Sequence, residues 1–283
     1  MKLSRIGIFT LLTVVLATSA GCGLVNRIRA KNALNEGARA YRDGRFAEAQ
    51  EKFQYAYELD PSQKNAPLFI ARSIQQQYKP GVEAPENVAK GTAAIEAYQK
   101  VLANDPNNDD AYNAIVFIYR QMRDEGKERE MLLQRAKLES APPEKRAVAY
   151  TVLASKQWNC SYEITEQKEN KETVQKPDAV IIRYKKPQNQ ADFDKAATCV
   201  RDGLDLVSQA IKLDTNNPNA WSYKANLLRE MSKLAEMDGN AQQKADFDKQ
   251  YDEALETHKR LSEEAAKKKE AEEAAKSPTP PAS

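Results

Sequence analysis

The chain has 283 residues, of which 41% are hydrophobic and 30% charged, with 43 Lys and Arg set against 41 Asp and Glu. That length allows one or two ordinary domains or one elongated repeat array, and ten Gly and thirteen Pro favour long helices joined by short turns. A single histidine excludes a His-rich metal site and speaks against a Ser-His-Asp triad, the three cysteines lack zinc-ligand spacing, and neither GxxxxGK[ST] nor GxGxxG occurs. The composition therefore points away from an enzyme, a cofactor and a small-molecule substrate.

Residues 1–21 read as an export signal. A short basic start with Lys2 and Arg5 is followed by the apolar run "IGIFTLLTVVLA" and then "TSAGC", which ends at Cys22. The Ser-Ala-Gly-Cys ending resembles a lipobox, although Ser19 stands where Leu or Val is usual. The resemblance implies cleavage before Cys22 and acylation of that cysteine. The competing reading is an uncleaved anchor, because residues 6–26 carry no charge and are just long enough to span. Cleavage would remove Lys2 and Arg5 and leave 41 basic against 41 acidic residues, a neutral chain with no electrostatic case for nucleic acid. Residues 22–31 are read as a lipid-anchored linker, whose Arg27, Arg29 and Lys31 either rest on anionic headgroups or are solvated. Gly23, rather than Asp, follows Cys22, which favours the outer over the inner membrane, with the chain facing the periplasm.

The stretch "GRFAEAQEKFQYAYELDP" places Gly44, Phe46, Ala49, Phe53 and Ala56 before Pro61. Small residues allow two antiparallel helices to cross closely and large ones fill the gaps. Pro61 cannot continue a helix and disfavours helical geometry at Asp60. The pattern recurs 45 residues on, where Ala94, Tyr98, Val101 and Pro106 take the places of Ala49, Phe53, Ala56 and Pro61. A first helix near residues 67–77 and an insertion near residues 78–90 complete that second unit. A third opens with Tyr112, Ile115, Val116 and Tyr119 at i, i+3, i+4, i+7 and closes with a helix at about residues 127–138. A fourth opens with Tyr150, Leu153 and Ala154 and closes with Gly203, Val207 and Ala210. A fifth carries Trp221, Ala225 and Leu228, and is followed by a helix with Phe247, Tyr251, Leu255 and His258 on one face.

These spacings resemble the tetratricopeptide-repeat family, over roughly residues 32–262. The resemblance implies an all-α solenoid of about five helical hairpins, occupying residues 32–239, with a groove that binds peptides or protein segments. Residues 240–276 are read as a capping helix, solvated after Leu261, and residues 277–283 as a disordered Pro/Ser/Thr tail. The fourth repeat is split by an insertion at residues 160–190. Within it "SYEIT" and "AVIIRY" are strand-like, which gives a two-stranded ribbon projecting from the helices or, alternatively, a disordered insertion. With Cys22 acylated, Cys160 and Cys199 remain as an even pair in an oxidising compartment and are expected to form a disulfide.

In the family, groove positions lie on the first helix of each repeat. Carried over, they are Leu68, Arg72 and Gln75, then Asn113, Phe117 and Arg120, then Thr151, Ser155 and Trp158, then Ser222, Asn226 and Arg229. The sites retained as partner-binding candidates are Arg72, Asn113, Phe117, Arg120, Ser155, Trp158, Asn226 and Arg229. Three of the four sets hold an arginine, which suits an extended peptide with acidic groups. The Lys/Asn set of the chaperone-binding clamp does not occur in the right order. The resulting expectation is a membrane-anchored periplasmic scaffold that binds protein partners in envelope assembly or secretion. The alternative is a structural envelope lipoprotein that associates with itself.

Overall fold

The computed structural model describes the backbone from residue 4 to 276 and side chains from residue 23 to 275. The side chains of the expected signal peptide and of Cys22, and the whole of the expected tail at residues 277–283, lie outside the described residues. The chain forms two compact units, Met1–Met131 and Leu132–Ser283.

The first unit contains α1 (Ser4–Arg42), α2 (Phe46–Leu59), α3 (Ala66–Gln75), α4 (Pro85–Asn104), α5 (Asp109–Gln121) and the first part of α6 (Glu125–Lys137), each of α1 to α4 packing on the next and α4 on α5. Small residues do mark the crossings. A Cβ added to Gly37 on α1 would lie 2.8 Å from the ring of Phe53 on α2, so the ring is seated against bare backbone. Ala40, Ala49 and Phe53 are buried together, and Phe69 of α3 stacks on Phe53 with ring centroids 5.2 Å apart. Gly44 turns the chain between α1 and α2 at φ +76°, a conformation that costs an L-residue about 1 kcal/mol or more.

The second unit holds the rest of α6, then α7 (Pro143–Thr165), a 3₁₀ turn (Lys168–Asn170), β1 (Lys171–Lys176), β2 (Ala179–Tyr184), α8 (Gln190–Leu213), α9 (Pro218–Met237) and α10 (Ala241–Lys276). Helices α7, α8 and α9 pack on one another around Ala154, Phe193, Val200, Val207 and Leu227. The capping helix covers α9 with Phe247, Tyr251, Ala254 and Leu255 against Ala225 and Leu228. Beyond Leu261, which is buried, Ser262 is half-buried and the side chains from residue 263 to 275 are exposed, and Arg260 pairs with Glu264 at 2.9 Å.

The repeat is visible in how its hairpins are joined. Asp60, Asp105 and Asp214 each end a helix with nearly the same backbone, φ near −140° and ψ near +90°, and each donates its own N–H to the carbonyl four residues back. The Asp Oδ1 then accepts the N–H two residues on, from Ser62, Asn107 and Asn216, at 3.1–3.2 Å. Asn108 and Asn217 next cap the following helix, their side-chain oxygens accepting from Ala111 and from Asn219 and Ala220. One turn chemistry therefore recurs after α2, α4 and α8. The fold is all-α, built of tetratricopeptide-type hairpins, with a small two-stranded insertion.

Three sequence expectations need correction. Residues 22–31 do not form a linker but continue α1. No proline precedes Pro61, the stretch is rich in good helix formers, and Ala30 and Ala33 are buried on one side. "SYEIT" is not a strand but the last turns of α7. Its Ser161, Ile164 and Thr165 fall at i, i+3, i+4, all buried, and that period overrides local β-propensity. The first strand is "KETVQK", paired antiparallel with "AVIIRY" from Lys171 opposite Tyr184 to Lys176 opposite Ala179. Finally, the insertion of the second repeat is shorter than residues 78–90, because α4 begins at Pro85, where proline's fixed φ suits a first helical turn.

Candidate interaction sites

In the first unit, α1, α2 and α3 enclose a cleft of about 590 Å³. Its apolar lining is Leu34, Tyr41, Phe53 and Phe69, and Arg39, Arg42 and Arg72 stand around it. The helices dictate this. Gly37 lets α2 approach α1 closely enough for Phe53 to reach Phe69, while Asn35, Ala38, Arg39 and Arg42 lie on exposed positions of α1. Arg72 donates to Asp110 of α5 at 2.7 Å, with both side chains partly in solvent. Asn113 and Phe117 stand one and two turns beyond Asp110 on α5, and both are exposed; Phe117 leaves 40% of its surface in water.

The structure thus brings Arg72, Asn113 and Phe117 to one face of the first unit and adds Arg39 and Arg42. Arg39 and Arg42 have no counterpart among the groove positions carried over by resemblance, which begin at Leu68; the signal for them is their place in the last turn of α1, beside the small residues Gly37 and Ala40. Arg120 is exposed but committed. Its guanidinium donates to Glu128 of α6 at 2.9 Å, and that carboxylate is only 1% exposed.

The second unit treats its candidates differently. Trp158 packs against Tyr162 and Tyr223, with centroids 5.0 and 6.1 Å away, and lies against the apolar core. Ser155 is half-buried and donates to the carbonyl of Val152. Thr151 is buried and donates to the carbonyl of Ala147. Asn226 is half-buried; Arg229 is exposed, 3.3 Å from Asp248 and beside the ring of Tyr251. His258 is half-buried, its Nδ1 2.9 Å from the carbonyl oxygen of Pro218.

What the second unit does contain is a buried polar cluster that holds the ribbon. Glu230 on α9 is 1% exposed and accepts from Ser161 and Thr165 of α7 at 2.9 and 2.7 Å. Lys233, one turn on, bridges Glu230 to Glu166 and sits between the rings of Tyr162 and Tyr184. Glu166 also accepts from Lys171 of β1 and from the phenol of Tyr184 of β2. Burial acts to raise the Glu166 carboxyl, but donation from Lys233, Lys171 and Tyr184 outweighs it and brings the group down to about 2. Burial, then the Glu166 carboxylate, push the Tyr184 phenol up. Asn170 ties the ribbon's base to Ile164. Farther out, Val180 and Ile182 are 61% and 54% exposed. The sequence signal for this cluster was the pair Glu230 and Lys233, set among Leu227 and Leu234 on the buried side of α9.

Cys160 of α7 and Cys199 of α8 form a disulfide, with Cα atoms 6.1 Å apart and a sequence separation of 39. Among the described residues no group of three His, Cys, Asp or Glu could hold a metal ion. Among them, too, no helix is long and apolar enough to cross a membrane.

No protein-family model matches the sequence, and no curated protein matches it. Among solved structures, the chain is similar to MamA, at 12% identity and a TM-score of 0.42, over 83% of this chain and 94% of that one. It is also similar to the TPR domain of P58(IPK), at 15% identity and 0.39, over 88% and 70%. A third is PilF of Pseudomonas aeruginosa, at 14% identity and 0.37, over 84% and 99%.

Proposed function

We propose that this protein is a membrane-anchored scaffold of the bacterial cell envelope, which holds an extended segment of a protein partner in the cleft between α1, α2 and α3. The observation that carries the reading is the cleft itself. It is about 590 Å³ in volume, floored by Phe53 and Phe69 and bordered by Arg39, Arg42 and Arg72. An apolar side chain fills such a floor, and guanidinium forks favour carboxylates beside it. The Arg72–Asp110 pair is exposed enough for a partner's carboxylate to replace Asp110 at low cost. Anchoring through an acylated Cys22 is supported by the Ser-Ala-Gly-Cys ending of the apolar leader, and a role in envelope assembly or secretion follows from that placement.

The test places a photo-reactive residue at Ala38, which is exposed and lines the cleft, in the full chain in cells. A discrete adduct with another protein, reduced several-fold by Arg39→Glu with Arg42→Glu, is the expected result. Adducts with the chain itself alone would establish self-association in its place. An adduct pattern indifferent to both arginines would overturn the cleft as the site.

A further inference from the structure

The start of α1 has two unlike sides. Ala30, Ala33, Gly37 and Ala40 are all buried, on the side that faces the rest of the first unit. Leu24, Val25 and Ile28 are exposed by 63%, 46% and 55%. At about 100° per residue these three fall within an arc of roughly 100°, centred roughly 150° from the buried side. The arc has charged borders: Arg27 and Lys31 flank it on one side and Arg29 on the other, all exposed. No acidic residue occurs before Glu36.

The strip offers only apolar groups and cations, and it follows directly on an apolar leader that ends at Cys22. We infer that the first exposed turns of α1 lie in the surface of an anionic bilayer, with Leu24, Val25 and Ile28 among the acyl chains and Arg27, Arg29 and Lys31 at the headgroups. The long cationic side chains reach the headgroup level while their stems stay on the apolar strip. Three apolar side chains do not hold a protein on a membrane alone, so the strip is a second attachment that supplements the anchor, and it rests on the membrane reading above. It also fixes where the cleft sits. Leu34 begins the cleft six residues after Ile28, about 9 Å along the helix axis, comparable with the Debye length in physiological salt.

The test uses the full chain, purified from membranes and reconstituted in vesicles of phosphatidylethanolamine and phosphatidylglycerol. Nitroxide labels are placed through Leu24→Cys, Ile28→Cys and, as a solvent control, the exposed Gln54→Cys. Collision with oxygen and with a water-soluble nickel chelate then reports depth. The expected result is an oxygen-to-nickel accessibility ratio several-fold higher at positions 24 and 28 than at 54, lowered by Arg27→Gln, Arg29→Gln and Lys31→Gln together. Nickel access at 24 and 28 equal to that at 54, in protein that stays with the vesicles, overturns the inference and leaves the anchor standing. Spin–spin broadening that grows with the protein-to-lipid ratio would show a second copy covering the strip and also overturns it. Labelling of the unsubstituted chain at Cys22 would sink the acylation reading instead, and depth at 24 and 28, read in a Cys22→Ser background, would still decide the strip.

Discussion

The prediction that reaches deepest into the second unit is Glu166→Gln. The side chain keeps its shape, but the charge that draws together Lys233, Lys171 and Tyr184 is gone. A carboxyl that titrates at about 2 in the folded protein and at its ordinary 4.5 in the unfolded chain stabilises the fold by roughly 3 kcal/mol when ionised. Because the folded value is depressed, that stability is fully present above pH 4.5 and is lost as pH falls through about 2. Glu166→Gln should therefore cost roughly 3 kcal/mol at pH 7, and the gap to the unsubstituted protein should close between pH 4.5 and 2. Urea unfolding followed by tryptophan fluorescence isolates the effect, since both tryptophans, Trp158 and Trp221, lie in the second unit. A cost at pH 7 under about 1 kcal/mol, the level of an exposed ion pair, or a gap that does not change with pH, would refute this role of the Glu166 charge.

Three further outcomes follow from particular contacts. Replacing Cys160 and Cys199 by serine removes a cross-link over 39 residues and should cost about 4 kcal/mol in the same fluorescence assay, with reductant reproducing the loss in the unsubstituted protein. Gly37→Val drives a side chain into the Phe53 ring and should lower the stability of the first unit by about 1–3 kcal/mol. Hydrogen exchange in α1 and α2 would rise with no change in α8 and α9, and Phe53→Leu in the same chain should recover part of the loss. Asn87→Leu deletes bonds to the backbone of Lys79 and Val82 and should cost about 1–3 kcal/mol, read as faster exchange of the Lys79 amide.

The hairpins were legible because their signals are periodic and local. Ala49, Phe53, Ala56 and Pro61, and their counterparts at Ala94, Tyr98, Val101 and Pro106, mark both the crossing points and the turns. The second helices therefore lay where the spacing put them, save that α4 begins at Pro85, within the expected insertion at residues 78–90. Positions that depend on a partner distant in sequence were not legible. Arg120 has the spacing of a groove residue, and only the folded chain shows Glu128 beneath it. Trp158 likewise has the spacing of a groove residue, yet Tyr223, from a helix beginning sixty residues later, covers one side of it. "SYEIT" failed for a related reason. Five residues contain enough β-branched and aromatic groups to favour a strand, but the helix that runs into them buries Ser161 and Thr165 on Glu230. Hydroxyls facing a buried carboxylate look the same in sequence as hydroxyls facing water.

Both insertions are held in the same manner, and this explains why their order could not be read from composition. The loop at residues 76–84 closes over Asn87, which is 8% exposed and both accepts from and donates to Lys79 while donating to Val82. The ribbon closes over Asn170, which is 3% exposed, and over Glu166. In each case one polar side chain at the mouth of the insertion takes up backbone or side-chain groups that would otherwise be buried without partners. Such a residue differs from a solvated one only in what surrounds it. An inserted segment with a polar composition can therefore be ordered at its base by one or two residues while its far end, as at Val180 and Ile182, stays in water. Removing the base contacts should release the whole ribbon and leave the hairpins of α7, α8 and α9 to the disulfide and the apolar core. Ser161, next to Cys160, is joined to Glu166 through Glu230 and Lys233, and the ribbon lies within the loop that the disulfide closes, so Glu166→Gln and the cysteine substitutions should couple, their summed costs departing from that of the double variant by more than about 0.5 kcal/mol.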